Sequence, residues 1–386
     1  MALGQIAFLG SGETSLAGGR IFESLAQSIK APLRIALMET PAGFELNSAQ
    51  VVGRVGDFMK TRLQNYKPVI DVIPARKKDS AFSPDDPEIV KPLLHANMIF
   101  MGPGSPTYAI RQLKDTLTWD VIRARHRLGA TLIFASAATI SIGAHALPVY
   151  EIYKVGQDVH LVDGLNLFAD FGLHVSFIPH WNNAEGGVDL DTSRCFIGMD
   201  RFGEWCGLIP AENETIGLDE HTGLIIDFES GLCEVSGVSS VSLVRECNPE
   251  MFPSGSRFPL SELGEVHLPD PLETDIPAHV WEMCVNAPPL DQNQPSEQVV
   301  VLVQQRLLAR ASKNWSESDK LRDEIAALGW TVQDSKDGYK LVKNLGRSGP
   351  CWPADPGEQA DTSGSQIQRP ESLTPSFTVY LFTRVG

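Results

Sequence analysis

The sequence lacks the features that mark a zinc protein, a disulfide-stapled domain or a membrane protein. Its six cysteines lie far apart and form no CxxC pair, so neither a zinc site nor a disulfide framework is indicated. No apolar run is long enough to cross a bilayer, and the opening MALGQIAFLGSGE has no basic stretch before its apolar residues. We therefore expect no membrane association and no signal peptide. Reduced thiols favour a cytoplasmic protein.

Positive charge is also scarce. Lys and Arg number 32 against 48 Asp and Glu, which gives a formal net charge of −16. A balance of this sign disfavours broad contact with phosphate backbones, and we expect no DNA binding. The glycine-rich segment GSGETS fails the GxGxxG spacing of dinucleotide-binding loops, because its sixth residue is Ser15. We expect neither a cofactor nor a metal.

Strand-like and helical patterns alternate from residue 5 to residue 135. This rhythm predicts an α/β fold with a mainly parallel, doubly wound sheet and helices on both faces. Residues 204–245 change to short β-like runs, the first at Gly207–Ile209, which we interpret as the closing antiparallel edge of the same domain. We assign 1–247 to this α/β domain. Residues 248–296, rich in Pro and acidic residues, are predicted to be a linker with one short helix.

The segment TLIFASAATI at 131–140 carries the first candidate for chemistry. An apolar strand stops abruptly at small residues around Ser136, and an apolar helical pattern follows. A serine flanked by small residues at a sharp strand-to-helix turn is typical of a nucleophile elbow, where the hydroxyl must stand clear of its own backbone. The following helix would place free N–H groups beside a developing oxyanion. The same pattern also fits a buried serine at an ordinary strand-to-helix turn.

A serine nucleophile needs a general base, and His180 is the strongest of the nine histidines. It ends the strand pattern Leu173–Ile178 and is followed by Trp181 and two asparagines. Active sites of parallel sheets lie at the carboxyl ends of strands, so His180 and Ser136 are predicted to face one crevice. A histidine hydrogen-bonded within a loop is the competing interpretation.

Several segments in order over residues 4–245 resemble the peptidase E and cyanophycinase family of serine peptidases. That family has a class I glutamine amidotransferase-like fold. The segments are FMGPGSPTYAIRQL, FASAATISIGAHALPVYEI, GLNLFADFGLHVSFIPHWNN, TIGLDEHTGLIID and GLCEVSGVSSVSLV. The resemblance departs from the family pattern at the elbow, where Ser-Ala-Gly is Ser-Ala-Ala in this sequence. Glutamine amidotransferase activity itself requires a cysteine at position 136 and is therefore disfavoured.

The resemblance implies a set of site residues. Ser136 matches the nucleophile and His180 the general base, and Glu151 falls where the acid that orients the imidazole is expected. The implied oxyanion hole consists of the backbone N–H of Ala137 and that of Gly104 or Gly102. Gly104 is favoured, because Pro103 removes one N–H from this loop.

Family members that cleave after aspartyl groups carry basic residues downstream of the histidine. Arg194 and Arg201 are the candidate counterparts in this sequence, and each also fits a surface salt bridge.

The C-terminal part resembles a different family. RLLARASKNWSESDKLRDEIAALGWTVQDSKDGYKL is similar to the C-terminal region of bacterial cysteinyl-tRNA synthetases, a helical hairpin followed by a β-turn. Over 297–343 we predict helices at Glu297–Ala311 and Glu317–Leu328, the second capped by Ser316, and then a β-hairpin. No HIGH-like or KMSKS-like motif occurs, so aminoacylation is not expected. Residues 344–386 have the composition of a disordered tail.

Together these patterns predict a serine-type hydrolase, a peptidase that cleaves small peptides or amides through an acyl-enzyme. The alternative is a catalytically inactive amidotransferase-like binding protein whose C-terminal module contacts RNA or a protein partner. The surface of 297–343 is nearly neutral, with eight Lys and Arg against seven Asp and Glu. Contact with tRNA and packing within a homo-oligomer both stay open as roles for this module.

Overall fold

The computed structural model describes residues 3–30, 32–269, 275–287, 295, 297–335 and 338–343. By its internal contacts the chain divides into two units, Met1–Ala287 and Pro288–Gly386. The predicted disordered tail, residues 344–386, lies outside the described residues. None of the helices in the described ranges is long and apolar enough to cross a membrane.

The strands are β1 (Ile6–Leu9), β2 (Arg34–Met38), β3 (Val69–Ile73), β4 (Met98–Met101), β5 (Thr131–Ala135), β6 (His145–Ala146), β7 (Val162–Asp163), β8 (Val175–Ile178), β9 (Glu214–Leu218), β10 (Thr222–Asp227), β11 (Leu232–Gly237), β12 (Ser240–Arg245), β13 (Asn248–Pro253), β14 (Arg257–Pro259), β15 (Trp330–Ser335) and β16 (Gly338–Lys343). The α-helices are α1 (Leu16–Ser28), α2 (Ser48–Arg62), α3 (Pro87–Val90), α4 (Pro106–Leu113), α5 (Leu117–Arg127), α6 (Ala137–Ser141), α7 (Val149–Tyr153), α8 (Gly198–Leu208), α9 (Ala278–Val285), α10 (Glu297–Ala311) and α11 (Trp315–Ala327).

The first unit is built on an eight-stranded sheet in the order β14-β11-β10-β1-β5-β4-β2-β3. Strands β1, β5, β4, β2 and β3 pair in parallel, with Phe8 beside Phe134 in the register of β1 and β5. The remaining three strands form an antiparallel edge. The mainly parallel α/β architecture predicted from the alternating pattern is confirmed.

Both faces of this sheet are covered by hydrophobic side chains. Along β1, Ile6 and Phe8 belong to the core cluster on one face, whereas Ala7 and Leu9 belong to the cluster on the other. Strands buried on both faces appear in sequence as continuous apolar runs rather than alternating ones. The run IAFL shows this pattern, which is why helices pack on both sides of the sheet.

The predicted antiparallel edge at 204–245 is only partly as expected. Strands β10 and β11 join the main sheet, but β9 and β12 belong to a second, four-stranded sheet in the order β13-β12-β9-β8. The β-like run at Gly207–Ile209 is instead the end of α8 and the residue that follows it. Gly198, Phe202 and Trp205 are the buried residues of this helix and share one helical face. The 3.6-residue spacing of these residues is typical of a helix. The β-like run at the end of α8 led to the prediction of a strand.

The segment predicted as a linker is folded over most of its length. Strands β13 and β14 lie within 248–296, β13 extends the second sheet, and the first unit continues to Ala287. Val280 and Cys284 on α9 are buried in the same core cluster as Phe8. Proline in β13 and β14 obscured these strands in the sequence, because proline is tolerated at sheet edges and is otherwise typical of loops.

The second unit is a helical hairpin followed by a β-hairpin. Helix α10 has the predicted bounds, and α11 begins at Trp315 with Asn314 as its cap, whose Oδ1 accepts the Glu317 N–H at 3.3 Å. The predicted cap, Ser316, lies inside the helix. Gly329, with a φ of +83°, follows the end of α11 as expected for a C′ residue.

Candidate functional site

Ser136 occupies the turn between β5 and α6 with φ 53° and ψ −117°. A non-glycine residue in this region costs on the order of 1–3 kcal/mol, and such strain is concentrated at functional sites. Two hydrogen bonds hold this turn to the end of β1. The Ser136 N–H donates to the Leu9 carbonyl at 3.2 Å, and the Thr139 hydroxyl donates to the same oxygen at 3.3 Å. The Ala138 N–H donates to the Gly102 carbonyl at 3.3 Å. The ends of β1, β4 and β5 therefore meet at this serine.

His180 follows β8 and lies opposite the serine. Its backbone has a φ of 49°, and its N–H donates to the Gly10 carbonyl at 3.3 Å, which ties it to the end of β1. The ring nitrogen Nε2 lies 3.0 Å from Ser136 Oγ. Ser136 is half-buried, so its hydroxyl is not sealed within the core. The structure thus brings the two predicted residues into hydrogen-bond contact.

The other ring nitrogen of His180 contacts Glu220. Nδ1 lies 2.9 Å from Glu220 Oε1, and Asn183 Nδ2 donates to the same oxygen at 3.0 Å. The Glu220 N–H donates to Asn182 Oδ1 at 2.8 Å. Burial raises the pKa of Glu220, but hydrogen bonds from Asn183 and His180 outweigh it and hold the pKa below its ordinary value. Glu220 is therefore a carboxylate at neutral pH.

Glu151 is not at this position, which corrects the sequence-based prediction. Its Oε1 accepts a hydrogen bond from the Thr107 hydroxyl at 2.6 Å, and Thr107 Oγ1 lies 3.1 Å from Ser105 Oγ. Its Oε2 is buried without a hydrogen-bond partner among the described residues. Glu151, on α7, is thus bonded to the start of α4, whereas Glu220 holds the position at Nδ1 predicted for Glu151.

Two backbone N–H groups near Ser136 were predicted to bind an oxyanion. Ala137 is the first residue of α6, and neither its N–H nor that of Gly104 donates to another backbone group of the described chain. Gly104 has a φ of +146°, and a Cβ there would lie 1.9 Å from the Pro41 carbonyl oxygen. Only glycine therefore fits this position of the loop.

The two predicted substrate-binding arginines lie in different surroundings. Arg194 is half-buried beside the histidine segment, with Cζ 3.8 Å from the centroid of the Trp181 ring and Nη1 donating to the Trp181 carbonyl at 2.9 Å. Arg201 is exposed on α8. Only Arg194 contacts a neighbour of His180.

A turn of unusual backbone conformation supports the histidine from its outer side. Arg194, Cys195 and Phe196 all have positive φ, between 57° and 71°. The Cys195 N–H donates to the His180 carbonyl at 3.2 Å, and the Phe196 ring centroid lies 5.4 Å from that of His180. No sequence signal marks this turn, because its left-handed residues are not glycines. Its position shows that the histidine is held by backbone contacts as well as by Glu220.

A substitution at Asn183 is expected to reveal the charge on Glu220 through stability. Asn183→Asp keeps the acceptor for the Glu185 N–H but replaces the donor to Glu220 with a second carboxylate. At pH 7 we expect a loss of about 2 kcal/mol in the free energy of unfolding, from a lost hydrogen bond and like-charge repulsion. The repulsion raises the folded-state pKa of the pair, so part of the loss is recovered as the pH falls from 7 to 5.

Urea unfolding at the two pH values measures this recovery, and Asn183→Ala is the matched control. Alanine adds no charge. The lowered pKa of Glu220 stabilises the native protein, and this contribution is lost only below about pH 4.5. The alanine loss should therefore be equal at pH 7 and pH 5. An aspartate loss that is also independent of pH would contradict an ionised Glu220.

The described residues contain no group of three or more His, Cys, Asp or Glu side chains placed to hold a metal ion. The polar chain of Ser136, His180 and Glu220 is therefore the arrangement with the clearest chemical capacity. Such an arrangement can move a proton from a hydroxyl to an imidazole whose other nitrogen is oriented by a carboxylate.

Comparison with known proteins relates the two units to different proteins. The first unit has the fold of peptidases. A peptidase from an acI-B1 Actinobacterium superposes with a TM-score of 0.54 at 19% sequence identity, over 67% of this chain and 97% of that one. At this identity the likeness establishes the fold alone. The mixed α/β fold expected from the resemblance to peptidase E is thereby confirmed.

Residues 294–339, in the second unit, match the family model described as the cysteinyl-tRNA ligase anticodon binding domain. Cysteine–tRNA ligase from Chlamydia trachomatis is 47% identical over 55 residues, and that from Phocaeicola vulgatus is 56% identical over 46 residues. These matches cover 14% and 12% of this chain. The chain spans about a tenth of the length of these relatives, 12% and 9% respectively. The predicted resemblance of this module is confirmed.

Proposed function

We propose that the protein is a serine-type hydrolase that cleaves small peptides or amides through an acyl-enzyme. The observation that carries this proposal is the continuous chain Ser136 Oγ, His180 Nε2, His180 Nδ1 and Glu220 Oε1, with distances of 3.0 and 2.9 Å. The peptidase fold of the first unit supports the same class of reaction. We place the activity in the cytoplasm, which the described unpaired cysteines support.

In the first half of the reaction, Ser136 Oγ attacks the carbonyl carbon of the substrate while His180 Nε2 takes its proton. Glu220 holds Nδ1–H and stabilises the imidazolium that forms. The carbonyl oxygen becomes an oxyanion, for which the N–H groups of Ala137 and Gly104 are the proposed donors. Collapse of this intermediate passes the proton from His180 to the leaving amine and leaves an ester on Ser136.

In the second half, water replaces the amine. His180 removes a proton from the water as it attacks the ester carbonyl, and the same two N–H groups stabilise the second oxyanion. The proton then returns to Ser136 Oγ as the acid product leaves. Each residue ends in its starting protonation state, so the cycle needs no cofactor.

Substrate recognition falls to the residues beside this chain. Of the two predicted arginines, we propose Arg194 for a carboxylate of the substrate, because it packs on Trp181 next to His180. Arg201 has no such position, since it lies exposed on α8.

A screen of dipeptides, isoaspartyl peptides and arginyl-aspartyl amides tests this proposal, with release of free amine as the readout. We expect the native chain to hydrolyse at least one of these classes and the Ser136→Ala variant to hydrolyse none of them. Hydrolysis that persists after this substitution would exclude the serine mechanism.

We also propose that the second unit contacts tRNA. Trp315 stands 57% exposed at the start of α11, and the Arg310 guanidinium carbon lies 5.6 Å from its ring centroid. An exposed indole beside a cation offers a stacking surface for an unpaired base. The match of 294–339 to an anticodon binding domain supports this assignment.

Trp315→Ala in the full chain is expected to weaken binding of total tRNA about tenfold, because one stacked base contributes on the order of 1–3 kcal/mol. Filter binding at several salt concentrations measures the effect. Leu308→Ala is the matched control, since Leu308 is 71% exposed on α10 and offers no ring for stacking. Equal retention of both variants, or retention insensitive to salt, would count against tRNA contact.

A further inference from the structure

Two cysteines that the proposed hydrolase chemistry does not use lie at one end of the second sheet. Cys206 is in the last turn of α8, and Cys247 is in the turn between β12 and β13. Strand β12 pairs antiparallel with β9, with Val244 facing Thr215. Because β9 begins soon after α8 ends, the turn that contains Cys247 lies at the same end as the C-terminus of α8.

Side-chain contacts agree with this register. Arg245, the residue that ends β12, forms an ion pair with Glu214 at the start of β9, at 3.3 Å. The side chains of Cys206 and Cys247 lie close enough to interact electrostatically, and neither forms a disulfide. Cys247 is exposed and Cys206 is half-buried, so a small oxidant can reach the first from solvent.

The backbone at Cys247 is unusual for a cysteine. Arg245 pairs with Asn248, so Glu246 and Cys247 form a two-residue hairpin turn. Both have positive φ, 49° and 63°, as in a type I′ turn that favours Asn-Gly. A cysteine at the glycine position is disfavoured by its own conformation. The turn nevertheless brings the Cys247 side chain close to that of Cys206.

We propose that Cys206 and Cys247 form a reversible intramolecular disulfide when the protein meets an oxidised low-molecular-weight disulfide such as oxidised glutathione. The Cys247 thiolate attacks one glutathione sulfur and releases one glutathione. The Cys206 sulfur then attacks the Cys247 sulfur of the mixed disulfide and releases the second glutathione. Two protein thiols are oxidised, one oxidised glutathione is reduced to two thiols, and the two protons pass to them.

The order of these steps follows from exposure. Cys247 is accessible and attacks first, whereas burial raises the pKa of the Cys206 thiol above its ordinary value. Closure by Cys206 is therefore the slow step, and its rate increases with pH. The Arg194 guanidinium partly offsets this effect on Cys206. The bond would fasten α8, whose Phe202 and Trp205 pack near Trp181, to the β12–β13 hairpin.

Peptide mapping of the full native chain tests the proposal. The protein is equilibrated with mixtures of reduced and oxidised glutathione, free thiols are blocked with iodoacetamide, and tryptic peptides are identified by tandem mass spectrometry. Cleavage after Arg201, Arg245 and Arg257 separates the two cysteines into peptides 202–245 and 246–257. We expect these two peptides to be joined, with fragment ions that place the bond at Cys206 rather than at Cys233. The melting temperature should rise by about 6 °C on oxidation.

The matched variants are Cys247→Ser and Cys351→Ser. The first should lose both the joined peptides and the rise in melting temperature, and the second should keep them. Glutathione attached to Cys247 at every ratio without closure to Cys206 would overturn the proposal. So would a bond from Cys247 to any other cysteine. Neither readout depends on Ser136, so the test is independent of the proposed hydrolase activity.

Discussion

Ser136→Ala is expected to reduce the rate of acylation by a fluorophosphonate probe by at least about 10⁴-fold. The probe reacts with a serine only when a base removes the hydroxyl proton, and Ser136 Oγ is the hydroxyl within 3.0 Å of His180 Nε2. Alanine keeps the small side chain that the strained turn requires. The folded structure should therefore survive, and the loss should come from the missing oxygen alone.

Gel fluorescence at fixed probe concentration measures this rate, and the melting temperature reports on folding. Ser230→Ala is the matched control. Ser230 is exposed in the turn between β10 and β11. This turn follows the end of β10, whereas His221 precedes its start. The Ser230→Ala variant should react with the probe at the native rate. Undiminished labelling of the Ser136→Ala variant would show that the probe reacts at another residue and would exclude Ser136 as the nucleophile. Absence of labelling in the native protein would favour the inactive binding protein.

Glu220→Ala is expected to reduce the same labelling rate by about 10³-fold. The substitution removes the oxygen that lies 2.9 Å from His180 Nδ1, and with it the group that orients the ring and stabilises the imidazolium. Glu220→Gln should fall between this variant and the native protein. An amide oxygen can accept the same hydrogen bonds but carries no charge to stabilise the cation.

Glu151→Ala provides the matched control, since it removes the same kind of side chain from a residue that bonds to α4 instead of His180. Because Glu151 bonds to Thr107 rather than to His180, we expect its labelling rate to change by less than about tenfold. Melting temperatures of both alanine variants separate loss of chemistry from loss of folding. A larger effect at Glu151 than at Glu220 would restore the assignment made from the sequence.

The elbow and the parallel sheet could be predicted because both are local. A buried strand, small residues and a helix follow one another within ten residues around Ser136, and the turn geometry follows from that order. His180 was also found from local pattern, as a polar residue at the end of a strand. The edge of a single parallel sheet does not bring it to Ser136, however, because β8 lies in the second sheet. The bond from the His180 N–H to the Gly10 carbonyl ties it to the end of β1 in the main sheet.

Glu220 could not be identified in the same way. It lies 40 residues after His180, in a turn between β9 and β10 whose sequence Asp-Glu-His gives three candidates for any role. Its contact with His180 depends on β9 pairing with β8 and on the two asparagines after the histidine. Glu151 offered the same functional group at a plausible distance along the chain. Only the sheet pairing distinguishes them.

The segment after residue 247 shows a second limit. Proline and acidic residues predicted a linker, yet Phe258, Leu260 and Leu263 are buried in the main core. Short edge strands have few apolar residues and no strong period, so composition outweighs the pattern when the sequence is read alone. The buried residues became recognisable only through what they pack against.

The central claim is that one hydroxyl, at Ser136, is activated by His180. Reacting the native full chain with diisopropyl fluorophosphate and measuring the intact mass and the modified peptide tests this most directly. The account predicts a single phosphoryl adduct per chain, located on Ser136 by fragment ions. An unmodified protein, or an adduct on a different serine, would contradict it.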